Sequence, residues 1–427
     1  MRKRFYSAKR FSAKELELLI SNAGNSSVVI GVDVSKHELM LMARRQDARF
    51  FGPYRVVNPH RIDHVVELMR RLHTRGPAQI AMESSGTYGD PLRQALCEAQ
   101  IQVQRVESKW SWDYAELFDG VPSQHDGKDA AVIAELCAIS KSSPWPWVSP
   151  DENESRMRLL VEWIDGQDRT RRLWVGRIEA LLARHWPEAT GVLDLSSGTL
   201  MRVLIHYGGP AELAADPDAL QNLRRWGHSL LSEEKAQALL ESAKASVGVK
   251  QNAIDRERLR RYARASLAAS LEVKRAKPQL KILAAGNPVI QIQGAAVGIV
   301  TACVLWTRLG DPNNYHAAEA YRKAMGLNLA ERSSGKHKGQ LHISKRGDRM
   351  ARRWLHLAAL RLLREYPQVR DWYRQKRIRD GGRHLRAVTA VVRRLAIALH
   401  KSATRNEPLD PDRLFSPRAP QTIQGGS

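Results

Sequence analysis

Cysteine is scarce: Cys97, Cys137 and Cys303 are the only three in 427 residues, and none belongs to a Cys-x-x-Cys pair. That spacing excludes a disulfide-stapled secreted scaffold and a zinc finger, and it reads as reduced core residues of a cytosolic protein. Long apolar runs are missing too. The one long window without a charged residue, Gly286 to Thr307, has Asn287, Pro288, Gln291 and Gln293 crowded at one end, so a buried helix is expected there and no membrane partner. The first ten residues are basic but lack the apolar segment of a secretion signal, and read as a nucleic-acid arm or a solvated tail. No Gly-x-x-x-x-Gly-Lys-Ser/Thr run is present, which excludes an ATP-driven motor of the P-loop kind.

Negative charge is the other deficit. The chain has 68 Lys/Arg against 45 Asp/Glu, a net charge of +23, so a polyanionic partner is expected. Apolar residues make up 43%, enough for real cores, and the length predicts two or three domains.

Against this basic background a few acids stand out. Val28, Val29, Ile30, Val32 and Val34 suit a strand buried on both faces, and Asp33 interrupts them. A buried carboxylate needs a partner, most simply a cation. Strand-like runs follow at His37 to Ala43 and Arg49 to Val57, then a helix from His60 to His73 and a strand from Gln79 to Glu83 that ends in a second carboxylate. A helix from Asp90 to Ala99 and a strand from Ile101 to Val106 continue the alternation. Three antiparallel strands followed by helix, strand, helix, strand is the order of a ribonuclease-H-like fold. Asp126 and Asp129 then open the apolar helix from Val132 to Ile139, on one face and near its positive end. Taken alone, these two are an N-cap and a first-turn acid. Convergence with Asp33 and Glu83 would require Mg²⁺ or Mn²⁺ to offset the repulsion. Glu38, Asp47, Glu107 and Glu135 remain as solvated or structural acids.

The stretches Gly31-Val-Asp33-Val-Ser-Lys36, Met82-Glu83-Ser-Ser-Gly86-Thr-Tyr88-Gly89 and Asp126-Gly-Lys-Asp129-Ala resemble the acidic-tetrad motifs of IS110-family transposases, with His125 where that family commonly has Thr. The resemblance implies a RuvC-like N-terminal domain with metal-binding acids at Asp33, Glu83, Asp126 and Asp129. Arg332-Ser333-Ser334-Gly335-Lys336-His337-Lys338-Gly339 resembles the family's Ser-Gly-Lys-x-x-Gly signature, which makes Ser334 the nucleophile, with Ser333 where Asp is common. By composition alone this stretch is a flexible basic loop on phosphates. Ile292 to Ala302 resembles the family's glycine-containing hairpin, departing at Gln293, Ala295 and Ala296, so packing is its expected role.

The resulting plan is a basic N-terminal arm over 1–27, the ribonuclease-H-like domain over 28–141, a Pro-rich linker over 142–151, a helical middle over 152–285, a basic helical domain with the serine over 286–403, and a disordered tail over 404–427. The long helix of the middle region either forms a dimeric coiled coil or packs within the chain, and the break in its apolar stripe at residues 166–170 argues against a heptad repeat. Residues 331–401 contain 20 Lys/Arg and 5 Asp/Glu, a net +15, interleaved with Trp354, Tyr366, Trp372 and Tyr373, which are either stacking rings or core. Arg332, Lys336, Lys338, Lys345, Arg346, Arg374, Lys376, Arg377 and Arg379 are the expected nucleic-acid contacts. The resemblance implies a cytoplasmic, nucleoid-associated recombinase acting on element ends and target DNA, guided by a structured RNA and working as a dimer or tetramer. The rivals are a hydrolytic RuvC-like nuclease, such as a junction resolvase, and a non-enzymatic nucleic-acid-binding protein.

Overall fold

A computed structural model of the chain describes residues 7–84, 86–121, 125–149, 151–334 and 337–415, and within 332–340 it describes backbone alone. It divides into two compact units, residues 1–149 and 150–427.

The first unit is built on β2 (Val28–Val34), β3 (Glu38–Arg45) and β4 (Phe50–Val57), preceded by β1 (Lys9–Arg10) and α1 (Ala13–Ala23). Then follow α2 (Ile62–His73), β5 (Ala78–Glu83), α3 (Asp90–Glu98), β6 (Val103–Val106), α4 (Ser108–Asp119), α5 (Asp126–Ala138) and β7 (Ser143–Pro144). The strands lie in the order β1-β4-β3-β2-β5-β6-β7. β2, β3 and β4 are antiparallel neighbours, whereas β5 joins β2, and β6 joins β5, in parallel. This is the ribonuclease-H-like arrangement.

Helices cover both faces, which explains why β2 alternates so little in polarity. Val28, Ile30 and Val32 point toward Leu19 and Ile20 of α1, Leu68, Met69 and Leu72 of α2, and Leu92 and Leu96 of α3. Val29, with Ala81 of β5 and Val106 of β6, packs on Val132, Ile133 and Leu136 of α5.

The ends of this unit differ from the expected plan. Residues 13–23 are not an arm: Ser12 caps α1 by accepting from Glu15 N, and Leu19, Ile20 and Ala23 are buried. The Pro-rich segment is held down as well, since β7 pairs with β6 and the Arg93 guanidinium lies 3.6 Å from the Trp145 ring centre. Cys97 is exposed, where a core position was expected, while Cys137 and Cys303 are buried and all three are free thiols.

In the second unit, α6 (Glu152–His185) runs 34 residues. A bundle of α7 (Ala189–Val192), α8 (Gly198–His206), α9 (Pro210–Ala215), α10 (Ala219–Gly227) and α11 (Glu233–Lys244) follows, and α12 (Ala253–Ala284) returns alongside α6. The start of α6 (Met157, Val161, Ile164) shares a core with the end of α12 (Leu280, Ala284), and its end (Ile178, Leu182) meets the start of α12 (Leu259, Ala263), so the two are antiparallel within one chain. The break in the apolar stripe is filled by charge. Asp165, 1% exposed, accepts from Trp354 Nε1 at 2.7 Å and pairs with Arg353 and Arg169, while Asp168 pairs with Arg353, Arg171 and Arg172.

The remainder is α13 (Pro288–Val297), α14 (Ile299–Leu309), α15 (Ala318–Ala324), the hairpin β8 (Leu329–Ser334) and β9 (His337–Ile343), then α16 (Arg349–Glu365), α17 (Pro367–Arg379), α18 (His384–Arg405) and α19 (Pro411–Phe415). The expected single helix at 286–307 is two helices, broken at Gly298 with φ +80°. The expected tail at 404–427 starts with the end of α18 and with α19, whose Phe415 is buried; 416–427 lie outside the described residues. Among the described residues no helix is long and apolar enough to cross a membrane.

Candidate active site

Side chains alternate along a strand, so Val29, Gly31 and Asp33 share one face of β2, and Gln79, Ala81 and Glu83 share one face of β5. Gly31 pairs with Ala81 in the parallel ladder, which sets Asp33 and Glu83 beside each other at the C-terminal ends of neighbouring strands, on the face that α5 covers. Gly31 also brings α5 close. A Cβ at this position would stand 2.1 Å from Ala130 O and 2.5 Å from Ala134 N, so only glycine lets the helix backbone lie on the strand. Ala130, Ala131 and Ala134 keep the helix side equally slim and are fully buried. The first turn of α5, with Asp126 and Asp129, is thereby placed over the ends of β2 and β5.

Two further interactions hold this turn. His125 is the N-cap, its Nδ1 accepting from Lys128 N at 3.2 Å. Lys128 is completely buried, and its Nζ donates to Asp119 Oδ1 at 2.7 Å and to Val121 O at 2.5 Å. From the other side, Ser111 of α4 donates its Oγ proton to Glu83 Oε2 at 2.5 Å. Sequence reasoning missed α4, Ser111 and the Lys128–Asp119 pair. The aromatic-rich stretch 108–119 leaves Trp110, Trp112 and Leu117 exposed, so it has no readable apolar stripe.

The electrostatics of the four acids follow from this crowding. Burial pushes the Asp33 carboxyl from 3.8 up to about 7, and Asp129, Asp126 and Glu83 add repulsion, against one backbone N–H from Val34 that favours the charged form. Asp129 is raised by burial first, then by Asp126 and Glu83, with His125 and Lys128 opposing. Among the described residues, however, no three His, Cys, Asp or Glu side chains stand around a common metal position. The four carboxyls influence one another electrostatically without being gathered into a ligand shell. The donor set is all carboxylate oxygen, which is what Mg²⁺ and Mn²⁺ prefer, and a cation would relieve the strain on Asp33, so the residues fit such an ion. The spare acids are each held by an arginine: Glu135 by Arg44 at 2.5 Å, Glu38 by Arg55 at 3.1 Å, Glu107 by Arg105 at 2.7 Å, and Asp47 by Arg45.

In the second unit β8 ends at Ser334, which pairs with His337 across the hairpin. Gly335 and Lys336 lie outside the described residues, as do the side chains of Arg332, Ser333, Ser334 and Lys338. Backbone pairing over 329–343 shows that the expected basic loop is largely a hairpin. Lys345 and Arg346 are exposed just after β9, with Lys345 N donating to Gly326 O at 3.0 Å. On α17, Lys376 is tied to Asp380 at 2.6 Å, Arg374 to Asp371 at 3.4 Å, and Arg377 Nε donates to Gly382 O at 3.1 Å, while Arg379 is exposed. Trp354, Tyr366, Trp372 and Tyr373 pack against the core of this unit. All four are partly buried, each with one side against the core and part of its surface exposed.

Comparison with known proteins follows the same division. Residues 30–187 match the profile of the DEDD transposase of IS110 elements, described as "Transposase", and residues 290–374 match that of the "Transposase IS116/IS110/IS902 family". The chain belongs to the IS110 family of transposases. A curated relative is the "Insertion element IS110 uncharacterized 43.6 kDa protein" of Streptomyces coelicolor, 25% identical over 285 residues, covering 65% of this chain and 70% of that protein. Two structures of Thermus thermophilus RuvC, one "in complex with Holliday junction substrate", are 16% and 15% identical, covering 28% of this chain and 99% of theirs at TM-scores of 0.20 and 0.19. The fold assignment rests on strand order and direction in this chain. As an IS110-family transposase it is an enzyme of DNA recombination.

Proposed function

We propose that this transposase cuts and rejoins DNA through Ser334, with a divalent ion, Mg²⁺ or Mn²⁺, held by Asp33, Glu83, Asp126 and Asp129. The observation that supports the reading most is the state of Asp33: a carboxyl pushed to about 7 among three other acids is a site arranged for a cation, in a chain otherwise rich in positive charge. When bound, such an ion supplies Lewis-acid polarisation of a phosphate. The Ser334 hydroxyl attacks phosphorus: an Oγ–P bond forms as one P–O bond of the strand breaks, the serine proton goes to a base, and the leaving oxygen takes up a proton. The phosphoester conserves the energy of the broken bond, so rejoining to a new strand needs no ATP, which agrees with the missing P-loop motif. Within the acid cluster, Ser111 orients Glu83, and His125 and Lys128 fix the turn that carries Asp126 and Asp129.

Target choice in this reading comes from a structured RNA encoded by the element, and the net charge of +23 supports polyanion binding. Assembly as a dimer or tetramer belongs to the same reading, supported by large apolar side chains left exposed on the long helices, Leu159 and Trp163 of α6 and Ile282 of α12. The test is Ser334→Ala. It should retain DNA and RNA binding and lose every denaturant-resistant protein–DNA adduct, and Asp126→Ala should additionally lose the response to Mn²⁺. An adduct formed at the wild-type rate by Ser334→Ala would move the nucleophile to Ser333, and cleavage without any adduct would favour a hydrolytic nuclease.

A further inference from the structure

The first unit has a second charged site, on the sheet edge formed by β1 and β4. A cavity of about 330 Å³ is lined there by Arg10, Ser12, Arg55, His60, Arg61 and His64, with no carboxylate in its wall among the described residues. The backbone puts these cations together. β1 pairs in parallel with β4 so that Arg10 stands directly opposite Arg55, and Phe11 N donates to Arg55 O at 2.9 Å to fix the register. Like charges at paired strand positions repel. Arg61 is the N-cap of the twelve-residue α2 and makes no side-chain capping bond, so a third guanidinium sits at the positive end of a helix. Compensation is partial. Glu38 reaches Arg55 at 3.1 Å, Asp63 stands 3.9 Å from His64, and Arg61 Nη1 lies 3.4 Å from His64 Nε2. No ion pair holds Arg10 or Arg61 among the described residues.

Three guanidiniums and two imidazoles around one cavity of this size form an anion site, and fork-shaped donors match phosphate oxygens. We propose that the cavity binds a backbone phosphate of the nucleic acid handled by the transposase, so that the first unit grips its polymer at the β1–β4 edge as well as working at the acid cluster. The family match begins at residue 30, so Arg10, Ser12 and the strand that carries Arg10 lie outside it. The inference requires that the chain bind nucleic acid but not that Ser334 be the nucleophile, and binding rather than cleavage tests it.

The experiment measures binding of the full chain to a labelled DNA duplex and to a labelled RNA hairpin across a salt series, together with thermal unfolding. For whichever polymer occupies the cavity, Arg10→Gln/Arg61→Gln should weaken binding at low salt and reduce the slope of log K against log salt by about 0.7 to 0.9 for each phosphate lost. Arg10→Lys/Arg61→Lys keeps both charges and should restore most of the slope. The Gln pair should unfold at the wild-type temperature or above it, since it removes repulsion. Wild-type affinity and slope for both polymers at every salt concentration would overturn the proposal. So would an unfolding temperature well below wild type, or a Lys pair that binds as poorly as the Gln pair, because either would assign the arginines to packing.

Discussion

Asp33→Asn should stabilise the metal-free protein, although it alters the centre of the acid cluster. Asp33 titrates near 7 in the folded chain against 3.8 when unperturbed, so at about 1.4 kcal/mol per pKa unit the folded state is disfavoured by about 4 kcal/mol once the group must ionise. The sign follows from the raised folded value: between about pH 4 and 7 the folded state holds a proton that the unfolded chain has released, so stability falls as pH rises through this window. Asn is neutral at every pH and escapes the penalty. In chelator at about pH 8 the variant should therefore be the more stable by up to about 4 kcal/mol, on the order of 10 °C in Tm for a unit of this size. At about pH 4.5 the gain should shrink to about 1 kcal/mol. On the proposed metal reading, adding Mn²⁺ should reverse the order, because the wild type would gain a ligand-linked term that the variant lacks. Thermal unfolding of both proteins at the two pH values, in chelator and in Mn²⁺, measures all of this. A variant that is less stable than wild type at both pH values, or a difference independent of pH, would refute the argument from burial and repulsion at Asp33.

Gly31→Ala should lower stability by about 3 kcal/mol or more in urea unfolding, since its methyl would enter the backbone of α5 at Ala130, and it should also weaken the Mn²⁺ response. Asp165→Ala leaves Trp354 Nε1 without its acceptor and Arg353 with Asp168 alone, and should cost about 1–3 kcal/mol in the second unit, read by chemical denaturation. On α17, Arg379→Ala should flatten the salt dependence of nucleic-acid binding by about 0.7 to 0.9, and Lys376→Ala by less, because Asp380 already engages Lys376; equal slopes for the two variants would show that the pairing opens on binding.

The β-branched run at 28–34 and the two acids that close parallel strands were legible because strand periodicity and burial on both faces leave few other readings. Asp126 and Asp129 were legible as a pair, and their position over the sheet depends on Gly31, which by sequence is one more glycine in a strand. Lys128 could not be read as buried, since its partner Asp119 is nine residues away in a helix whose aromatic residues face outward. α1 was less legible because its stripe of Leu16, Leu19, Ile20 and Ala23 is short and directly follows a run of basic residues. Trp354, Tyr366, Trp372 and Tyr373 recur at spacings that suit a helix core as well as a stacking surface, and the half-buried position of each ring against the core was not legible from spacing.

The acid cluster is kept in place by interactions that are themselves independent of any ion. Gly31 against Ala130 and Ala134, the buried Lys128–Asp119 pair and the Ser111–Glu83 hydrogen bond fix the strand ends and the first turn of α5 whether or not the charge is compensated. A chain with 68 basic residues could have neutralised Asp33 with one of them, as Arg44 neutralises Glu135 and Arg45 neutralises Asp47 only a few residues along. Among the described residues, no Lys or Arg forms an ion pair with Asp33, Glu83, Asp126 or Asp129. In the proposed reading, carboxylates left without an ion-paired lysine or arginine have oxygens to offer a cation, and because the four are not gathered into a ligand shell, their side chains would draw together on a fixed frame as it binds. In that reading, the destabilisation expected at Asp33 is free energy that a bound cation would recover, so metal binding would be coupled to the stability of the first unit.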